Sequence, residues 1–158
     1  HEWKKIAIVT GASSGMGREM VYLLADHFVA LEEIWVIARR KDRLEELVGK
    51  VPVSLRILPF DLSDEEDLCM LSGLLKQEQP NVKILVNGAG YGKTGAAGTI
   101  PGSLSTGMVR LNDEALVAVT EMVLPYISGN SRIIQFASAA ALCRSRDSRS
   151  TPRPSLLC

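Results

Sequence analysis

The sequence predicts an α/β domain: a doubly wound parallel sheet of about five strands with helices on both of its faces. Three observations predict this class. Apolar runs of strand length alternate with stretches of helical periodicity along residues 1–142. Several of the runs are apolar at almost every position, as expected for strands that helices cover on both faces. The chain has 158 residues, of which 46% are apolar, and this is enough for the core of one domain.

The predicted strands are short runs rich in isoleucine, valine and leucine, and Gly11 and Pro59 end two of them. They cover residues 5–10, 34–37, 53–58, 84–86 and 132–137. Parallel neighbours require crossover connections, which are right-handed in nearly all proteins. We therefore predict the spatial strand order 3-2-1-4-5.

Apolar residues spaced three and four apart predict a helix after each of the first four strands. The helices cover residues 15–28, 42–48, 64–79 and 103–126. Gly49 and Pro80 are expected to end the second and third of them. Ser63 followed by Glu66 has the pattern of a capping box, so we expect Ser63 to cap the third helix.

The composition argues against several classes of protein. The 18 basic and 18 acidic residues balance, so we predict neither a nucleic-acid partner nor a membrane partner. The longest apolar runs fall short of the roughly 18–20 residues of a membrane span. The cysteines at 69, 143 and 158 follow no metal or disulfide spacing, which favours a cytoplasmic protein without a metal site. Cys69 is expected to be a buried thiol in the third helix.

Residues 143–158 differ in composition from the rest of the chain. They are rich in arginine, serine and proline, and no apolar residue lies between Cys143 and Leu156. Such a segment cannot bury enough surface to offset the entropy of ordering it. We therefore predict a domain over residues 1–142 and a disordered tail over residues 143–158.

A glycine-rich motif, T-G-A-S-S-G-M-G, occupies residues 10–17 between the first strand and the first helix. Residues without Cβ allow a tight connection whose backbone can approach a pyrophosphate closely. The amino end of the following helix offers N–H groups and a positive dipole end to such an anion. A glycine turn without a ligand remains the plainer alternative. The position of the motif favours a dinucleotide-binding, Rossmann-like domain, and no Gly-Lys-Ser/Thr follows that would indicate a P-loop.

With this motif and three further matches in order, the sequence resembles the short-chain dehydrogenase/reductase family over residues 4–142. Residues 10–17 match the family's T-G-x-x-x-G-x-G in full. Asp61 and Leu62, after the third strand, resemble its Asp that faces the adenine ring. Residues 87–90 are similar to its N-N-A-G signature, with Gly88 in place of the second Asn. Ser138, just past the fifth strand, matches its catalytic Ser.

Charge at the end of the second strand indicates which nicotinamide dinucleotide is preferred. Enzymes that prefer NAD place an Asp or Glu there to bind the ribose hydroxyls. Here Ala38 occupies that place and Arg39 follows it. A guanidinium can pair bidentately with a 2′-phosphate, and no carboxylate is present to repel it. We therefore favour NADP(H) over NAD(H), and we expect Arg40 to be solvated.

The resemblance implies a set of cofactor-binding positions, to which the charge argument adds Arg39. They are Gly11, Ser13, Ser14, Gly15, Met16, Gly17, Arg39, Asp61, Leu62, Asn87, Gly88, Ala89 and Gly90. It also implies an oxidoreductase of small carbonyl or alcohol substrates, with Ser138 and Asn112 at catalytic positions. The family often pairs through the helix that residues 103–126 resemble, so a homo-oligomer is expected there.

The chain departs from the family after Ser138. The family carries a Tyr about a dozen residues later, which exchanges a proton with the substrate, and a Lys four residues beyond that stabilises the phenolate. Here Thr151 and Ser155 stand at those spacings, and the last tyrosine is Tyr126. A threonine hydroxyl is far less acidic than a phenol, and serine carries no charge.

Two interpretations of that departure stay open, and a third is an active enzyme that uses other groups for the proton transfer. The abrupt change of composition near residue 143 suggests a truncated or catalytically impaired reductase. Such a form predicts an exposed edge on the fifth strand, with Ile133, Ile134 and Phe136 uncovered. The alternative is a non-catalytic dinucleotide-binding module or sensor, which would be monodisperse. Both bind the cofactor, and they differ in turnover.

Overall fold

The computed structural model describes residues 3–88 and 114–136. In chain order the elements are β1 (Lys5–Thr10), α1 (Gly15–His27), β2 (Glu33–Ile37), α2 (Lys41–Glu45), β3 (Ser54–Leu58), α3 (Glu65–Glu78), β4 (Asn81–Asn87), α4 (Ala115–Val123) and β5 (Ile127–Gln135). A 3₁₀ turn over Leu124–Tyr126 joins α4 to β5. Residues 103–113 of the predicted fourth helix and the tail over residues 143–158 lie outside the described residues.

Within the described residues the strands form one five-stranded sheet in the order β3-β2-β1-β4-β5. Every neighbouring pair is parallel. The predicted doubly wound fold and its strand order are therefore confirmed. The order reverses between β1 and β4, and in open sheets of this kind ligands bind at the carboxyl ends of the strands on either side of such a point.

Helices cover both faces of the sheet. On one face, α3 and α4 pack on a cluster that includes Ile6 and Ile8 of β1. On the other, α1 and α2 pack on a cluster that includes Ala7 and Val9. Successive residues of a strand point to opposite faces, so a strand covered on both sides must be apolar throughout. This explains why the β1 and β2 runs are continuous in the sequence.

The start of α3 differs from the prediction. The cap is Asp64, whose carboxylate accepts the N–H of Glu66 at 3.0 Å. Ser63 instead donates its backbone N–H and its hydroxyl to the carboxylate of Asp61, at 2.9 and 2.6 Å. The prediction that Ser63 caps the helix is wrong because that serine is already engaged by the preceding aspartate.

The prediction that Cys69 is buried is also wrong. The residue lies on α3 and is exposed. The buried residues of this helix are Leu71 and Leu75, and the position two before Leu71 falls on the opposite side of the helix. Leucines close in sequence do not define the buried face unless their helical spacing is followed.

The fifth strand is longer than predicted and begins earlier, at Ile127 instead of residue 132. Val82 of β4 pairs with Ile127, and Ile84 pairs with Arg132, so β5 has extra residues opposite β4. Asn130, in that irregular stretch, has a φ of 67°. Such a bulge accommodates a polar Ser-Gly-Asn-Ser segment that has no strand signal in the sequence.

β5 is one of the two edge strands of the described sheet, and β3 is the other. Ile133 is 40% exposed, as predicted for an uncovered edge. Ile134 and Phe136 are half-buried against the cluster beneath α1 and α2, so the prediction that all three lack cover is wrong for these two. Among the described residues, no helix has both the length and the apolar character required to cross a membrane.

Candidate functional site

A cleft of about 710 Å³ lies at the carboxyl ends of the strands, where the strand order reverses. It is lined by Gly11 and residues 13–17 after β1, by residues 37–40 around the end of β2, by residues 60–62 after β3, by Gly88 after β4, and by Phe136 after β5. This volume is within the usual range for small-molecule and cofactor sites, roughly 300–1,000 Å³. The cleft therefore brings together residues from separate parts of the chain.

The glycine turn after β1 forms the floor of the cleft. Gly11 and Gly15 have φ angles of +66° and +57°, and the N–H of Ala12 donates to the carbonyl of Ile37 at 3.2 Å. Gly17 lies so close to Gly11 that a Cβ added at residue 17 would overlap the Gly11 carbonyl oxygen and come within 2.7 Å of its carbon. Only glycine at this position lets α1 begin directly against the turn.

The amino end of α1 faces the cleft, because residues 15–17 line it. Ser14 is the cap residue in extended conformation, but its side chain makes no capping hydrogen bond. Within this described helix, the first turn contains no acidic residue. The positive end of the helix dipole is thus neither capped by Ser14 nor neutralised by a carboxylate of its first turn. Such an end suits an anion.

The carboxyl end of β4 is fixed against the same turn. The hydroxyl of Thr10 accepts the N–H of Gly88 at 3.1 Å and donates to the carbonyl of Val86 at 3.4 Å. A Cβ added at Gly88 would lie 2.7 Å from the Thr10 carbonyl oxygen and 3.3 Å from the Cα of Gly17. The glycine that replaces the second Asn of the resembled signature therefore permits a close contact of two backbones.

Asn87 is 8% exposed, and its amide donates to the hydroxyl of Thr120 on α4 at 3.1 Å. This bond ties the carboxyl end of β4 to α4, which packs on one face of the sheet. No pattern in the sequence marks the role of Thr120, because the two residues are far apart in the chain. The sequence-based prediction also omits Phe60 and Phe136 as cleft residues, although each ends a predicted strand or follows one.

Two arginines near the cleft differ in their partners. Arg18 donates to the carboxylate of Glu46 at 3.1 Å, and hydrogen bonds with Tyr22 and Glu46 raise the pKa of its guanidinium. Arg39 is exposed on the rim and, among the described residues, pairs with no carboxylate. Ala38, beside it, also lines the cleft. Arg40, the next residue, is likewise exposed and lines the cleft. The rim therefore offers two arginines without a carboxylate partner among the described residues, and no acid at the end of β2.

Asp61 lies on the cleft wall between the buried side chains of Phe60 and Leu62. One carboxylate oxygen accepts the two bonds from Ser63, and the backbone N–H of Asp61 donates to the carboxylate of Asp67 at 2.7 Å. The turn between β3 and α3 is thus held by hydrogen bonds on both sides of Asp61.

The structure brings ten predicted cofactor residues to the cleft lining, and Asn87 lies directly beside one of them. The ten are Gly11, Ser13, Ser14, Gly15, Met16, Gly17, Arg39, Asp61, Leu62 and Gly88. Ala89, Gly90, Asn112 and Ser138 lie outside the described residues. In the part of the chain that the structure describes, no group of three potential metal ligands occurs.

Comparison with known proteins gives consistent matches. A model of the short chain dehydrogenase family matches residues 5–148. YusZ of Bacillus subtilis (strain 168), an uncharacterised oxidoreductase, is 32% identical over 146 residues, covering 88% of this chain and 50% of that protein. The chain spans about half the length of the curated relatives it matches.

Two solved structures share the fold. The closed form of a serine dehydrogenase complexed with NADP⁺ has a TM-score of 0.77 at 26% identity, covering 90% of this chain and 57% of that one. A short-chain dehydrogenase from Sphingobium yanoikuyae in complex with NADPH has a TM-score of 0.76 at 25% identity, covering 89% and 56%.

Proposed function

The chain belongs to the short-chain dehydrogenase family, whose members bind a nicotinamide dinucleotide, and we propose that its cleft binds NADP(H) in preference to NAD(H). The observation that carries the dinucleotide site is the close contact of the glycine turn with α1, where a Cβ at Gly17 would overlap the Gly11 carbonyl. The preference for NADP(H) is inferred from Arg39 at the rim. Glycines at positions 11, 15 and 17 leave the backbone of the turn without Cβ atoms at these points, which lets a pyrophosphate approach it closely.

The residues of the floor fit such an anion. Residues 11 and 13–17 would hold the pyrophosphate through backbone N–H groups at the amino end of α1. The absence of a Ser14 cap and of an acid in the first turn of this described helix leaves that end suited to negative charge.

The walls fit the adenosine half. Arg39, exposed and unpaired among the described residues, would bind the 2′-phosphate, and Ala38 provides no carboxylate to oppose it. Asp61 and Leu62 would contact the adenine ring, and residues 87–90 would contact the remainder of the cofactor. Two similar solved structures are complexes with NADP⁺ and NADPH, which supports this choice.

By family membership, we propose that the whole protein is an oxidoreductase of small carbonyl or alcohol substrates. The bound nicotinamide would supply or accept the hydride. Ser138 would donate a hydrogen bond to the reacting oxygen, and Asn112 would support the same site. The 158-residue chain contains neither Tyr nor Lys after Ser138. We therefore propose that this polypeptide by itself binds the cofactor without turning substrate over.

A second candidate function is a non-catalytic dinucleotide-binding module or sensor, favoured by the same lack of Tyr and Lys after Ser138. It shares the cleft, and only turnover of the whole protein distinguishes it from a reductase. The homo-oligomer through residues 103–126, the cytoplasmic location and the boundary at residue 142 stay predictions.

The test is calorimetric titration of the protein with NADPH and with NADH. We expect tighter binding of NADPH, and Arg39→Asp should reverse the preference because a carboxylate repels the 2′-phosphate and accepts ribose hydroxyls. Lys50→Asp makes the same change of charge at an exposed residue outside the cleft lining, and it should keep the wild-type preference.

No heat with either dinucleotide would overturn the cofactor site. Tighter binding of NADPH by Arg39→Asp would overturn the role of Arg39 alone. Incubation with NADPH and a panel of aldehydes and ketones should show no oxidation of NADPH above the rate without protein. Sustained turnover would overturn the proposal that this polypeptide only binds.

A further inference from the structure

We propose that Asp67 is a positioning residue that sets the preference of the cleft for adenine over other purines, acting through Asp61. The inference rests on the proposed dinucleotide site. Asp67 belongs to the first turn of α3 and does not line the cleft, whereas Asp61 does. The two residues are connected by the 2.7 Å hydrogen bond from the Asp61 N–H to the Asp67 carboxylate.

This bond is the part of the turn that fixes Asp61 from its amino side. A hydrogen bond from a backbone N–H to an ionised carboxylate is shorter and stronger than one between neutral groups. Its 2.7 Å length agrees with that class. Asp67 is half-buried, so its carboxylate is partly shielded from water that would otherwise compete for it.

On its carboxyl side, Asp61 is held by bonds of a different kind. Its side chain accepts the N–H and hydroxyl of Ser63, and its carbonyl accepts the N–H of Asp64 at 3.0 Å. Of these contacts, the backbone bond to Asp64 also connects Asp61 to the amino end of α3. The bond to Asp67 differs because a side chain makes it, so a substitution can remove it and leave the backbone bonds of the turn in place. The orientation of the turn at the cleft therefore depends in part on Asp67.

Placement of the Asp61 carboxylate has a chemical consequence for the base. A carboxylate accepts a hydrogen bond from the exocyclic amine of adenine, but it faces a carbonyl oxygen when hypoxanthine takes the same position. The difference in affinity between the two bases therefore reports where that carboxylate lies. General loss of stability would weaken binding of both bases alike.

The experiment measures the affinities for NADP⁺ and for its hypoxanthine analogue by calorimetric titration. The wild type should bind NADP⁺ about tenfold more tightly, the factor expected for one hydrogen bond made or lost. Asp67→Ala should reduce this ratio to about two or less. Asp67→Asn, which keeps an acceptor oxygen at the same reach, should restore most of it.

The matched control is Asp64→Ala. It removes the same charge from the same end of α3 and abolishes the cap on Glu66, but the carboxylate it removes does not hold the Asp61 N–H. It should lower the melting temperature and keep the tenfold ratio. Asp67→Glu keeps the charge and displaces the carboxylate by one methylene. Asp67→Glu should lose most of the tenfold preference for NADP⁺ over its hypoxanthine analogue. If Asp67→Ala does not fold, Asp67→Glu is the variant that tests the role.

The possible outcomes distinguish the positioning role of Asp67 from the proposed cofactor site on which it rests. A wild-type ratio of about ten that persists in Asp67→Ala, or in Asp67→Glu where the alanine variant is unfolded, overturns the positioning role and leaves the cofactor site in place. Equal affinity of the wild type for both bases also overturns the role. Failure of the wild type to bind either dinucleotide overturns the cofactor site itself.

Discussion

The centre of the sheet and its β5 edge differ in composition and in burial: β1 and β2 are mostly apolar, whereas β5 has three isoleucines among its nine residues. All five residues of β2 are buried, and so are five of the six in β1. Among the described residues of β5, none is fully buried. The difference shows that the part of the fold that carries the candidate cofactor floor is well buried, whereas the described residues give β5 one neighbouring strand and partial contacts. Stability and cofactor binding should therefore be concentrated at the centre.

The largest expected effect is the loss of stability on truncation at the centre. Ile8→Ala removes a fully buried side chain of β1 and should lower the free energy of unfolding by about 3 kcal/mol, because a cavity remains. Ile133→Ala is the matched change on β5 and should cost less than about 1 kcal/mol, since that side chain is 40% exposed. Urea denaturation measures both. Equal losses of unfolding free energy in the two variants would contradict the difference in burial between β1 and β5.

The next effect is on binding at the floor of the cleft. Gly17→Ala should lower the affinity for NADPH by about a hundredfold, roughly 2.7 kcal/mol, because the new methyl forces the turn away from α1. Gly73→Ala is the control, since a Cβ at this position of α3 meets no atom within 4 Å. It should leave the affinity unchanged and raise stability slightly. Circular dichroism verifies the fold, and unchanged affinity in Gly17→Ala would refute the importance of the close contact.

The smallest effect on stability is expected for a charge on the edge. Ile133→Lys should change the free energy of unfolding by about 0.5 kcal/mol or less, because the side chain is already partly in water. It should reduce self-association in sedimentation velocity, since lysine on an edge strand opposes pairing between sheets. A large loss of stability would show that residues outside the described ranges cover β5.

The parts of the fold that the sequence predicts well are those whose burial is uniform. The predicted bounds of β1 match the observed ones because the strand is covered on both faces, and its apolar run is unbroken. Residues 127–131 escape prediction because a bulge lets polar residues join β5, and no local pattern marks this. The predicted cap of α3 is off by one residue because Ser63 and Asp64 have equal local propensity to cap, and a bond to Asp61 decides between them.

The candidate site also has a part that the sequence predicts and a part that it does not. Residues 11–17 can be found from the sequence because a backbone contact that excludes Cβ leaves glycines at fixed spacing. Asp67 and Thr120 cannot be found from the sequence, because no local pattern marks their hydrogen bonds to Asp61 and Asn87. The sequence thus predicts the part of the site made of backbone and not the side chains that hold it in place.

The meeting of Gly11, Gly17 and Gly88 restricts how this cleft can diversify. Gly11 and Gly17 belong to one turn and Gly88 follows β4, and a methyl group at residue 17 or 88 would require the neighbouring backbone to shift. Changes of coenzyme preference that leave this contact intact would lie at the periphery, at Arg39 and along the start of α3. An engineer who wishes to change the coenzyme should redesign that outer ring and leave the glycines untouched.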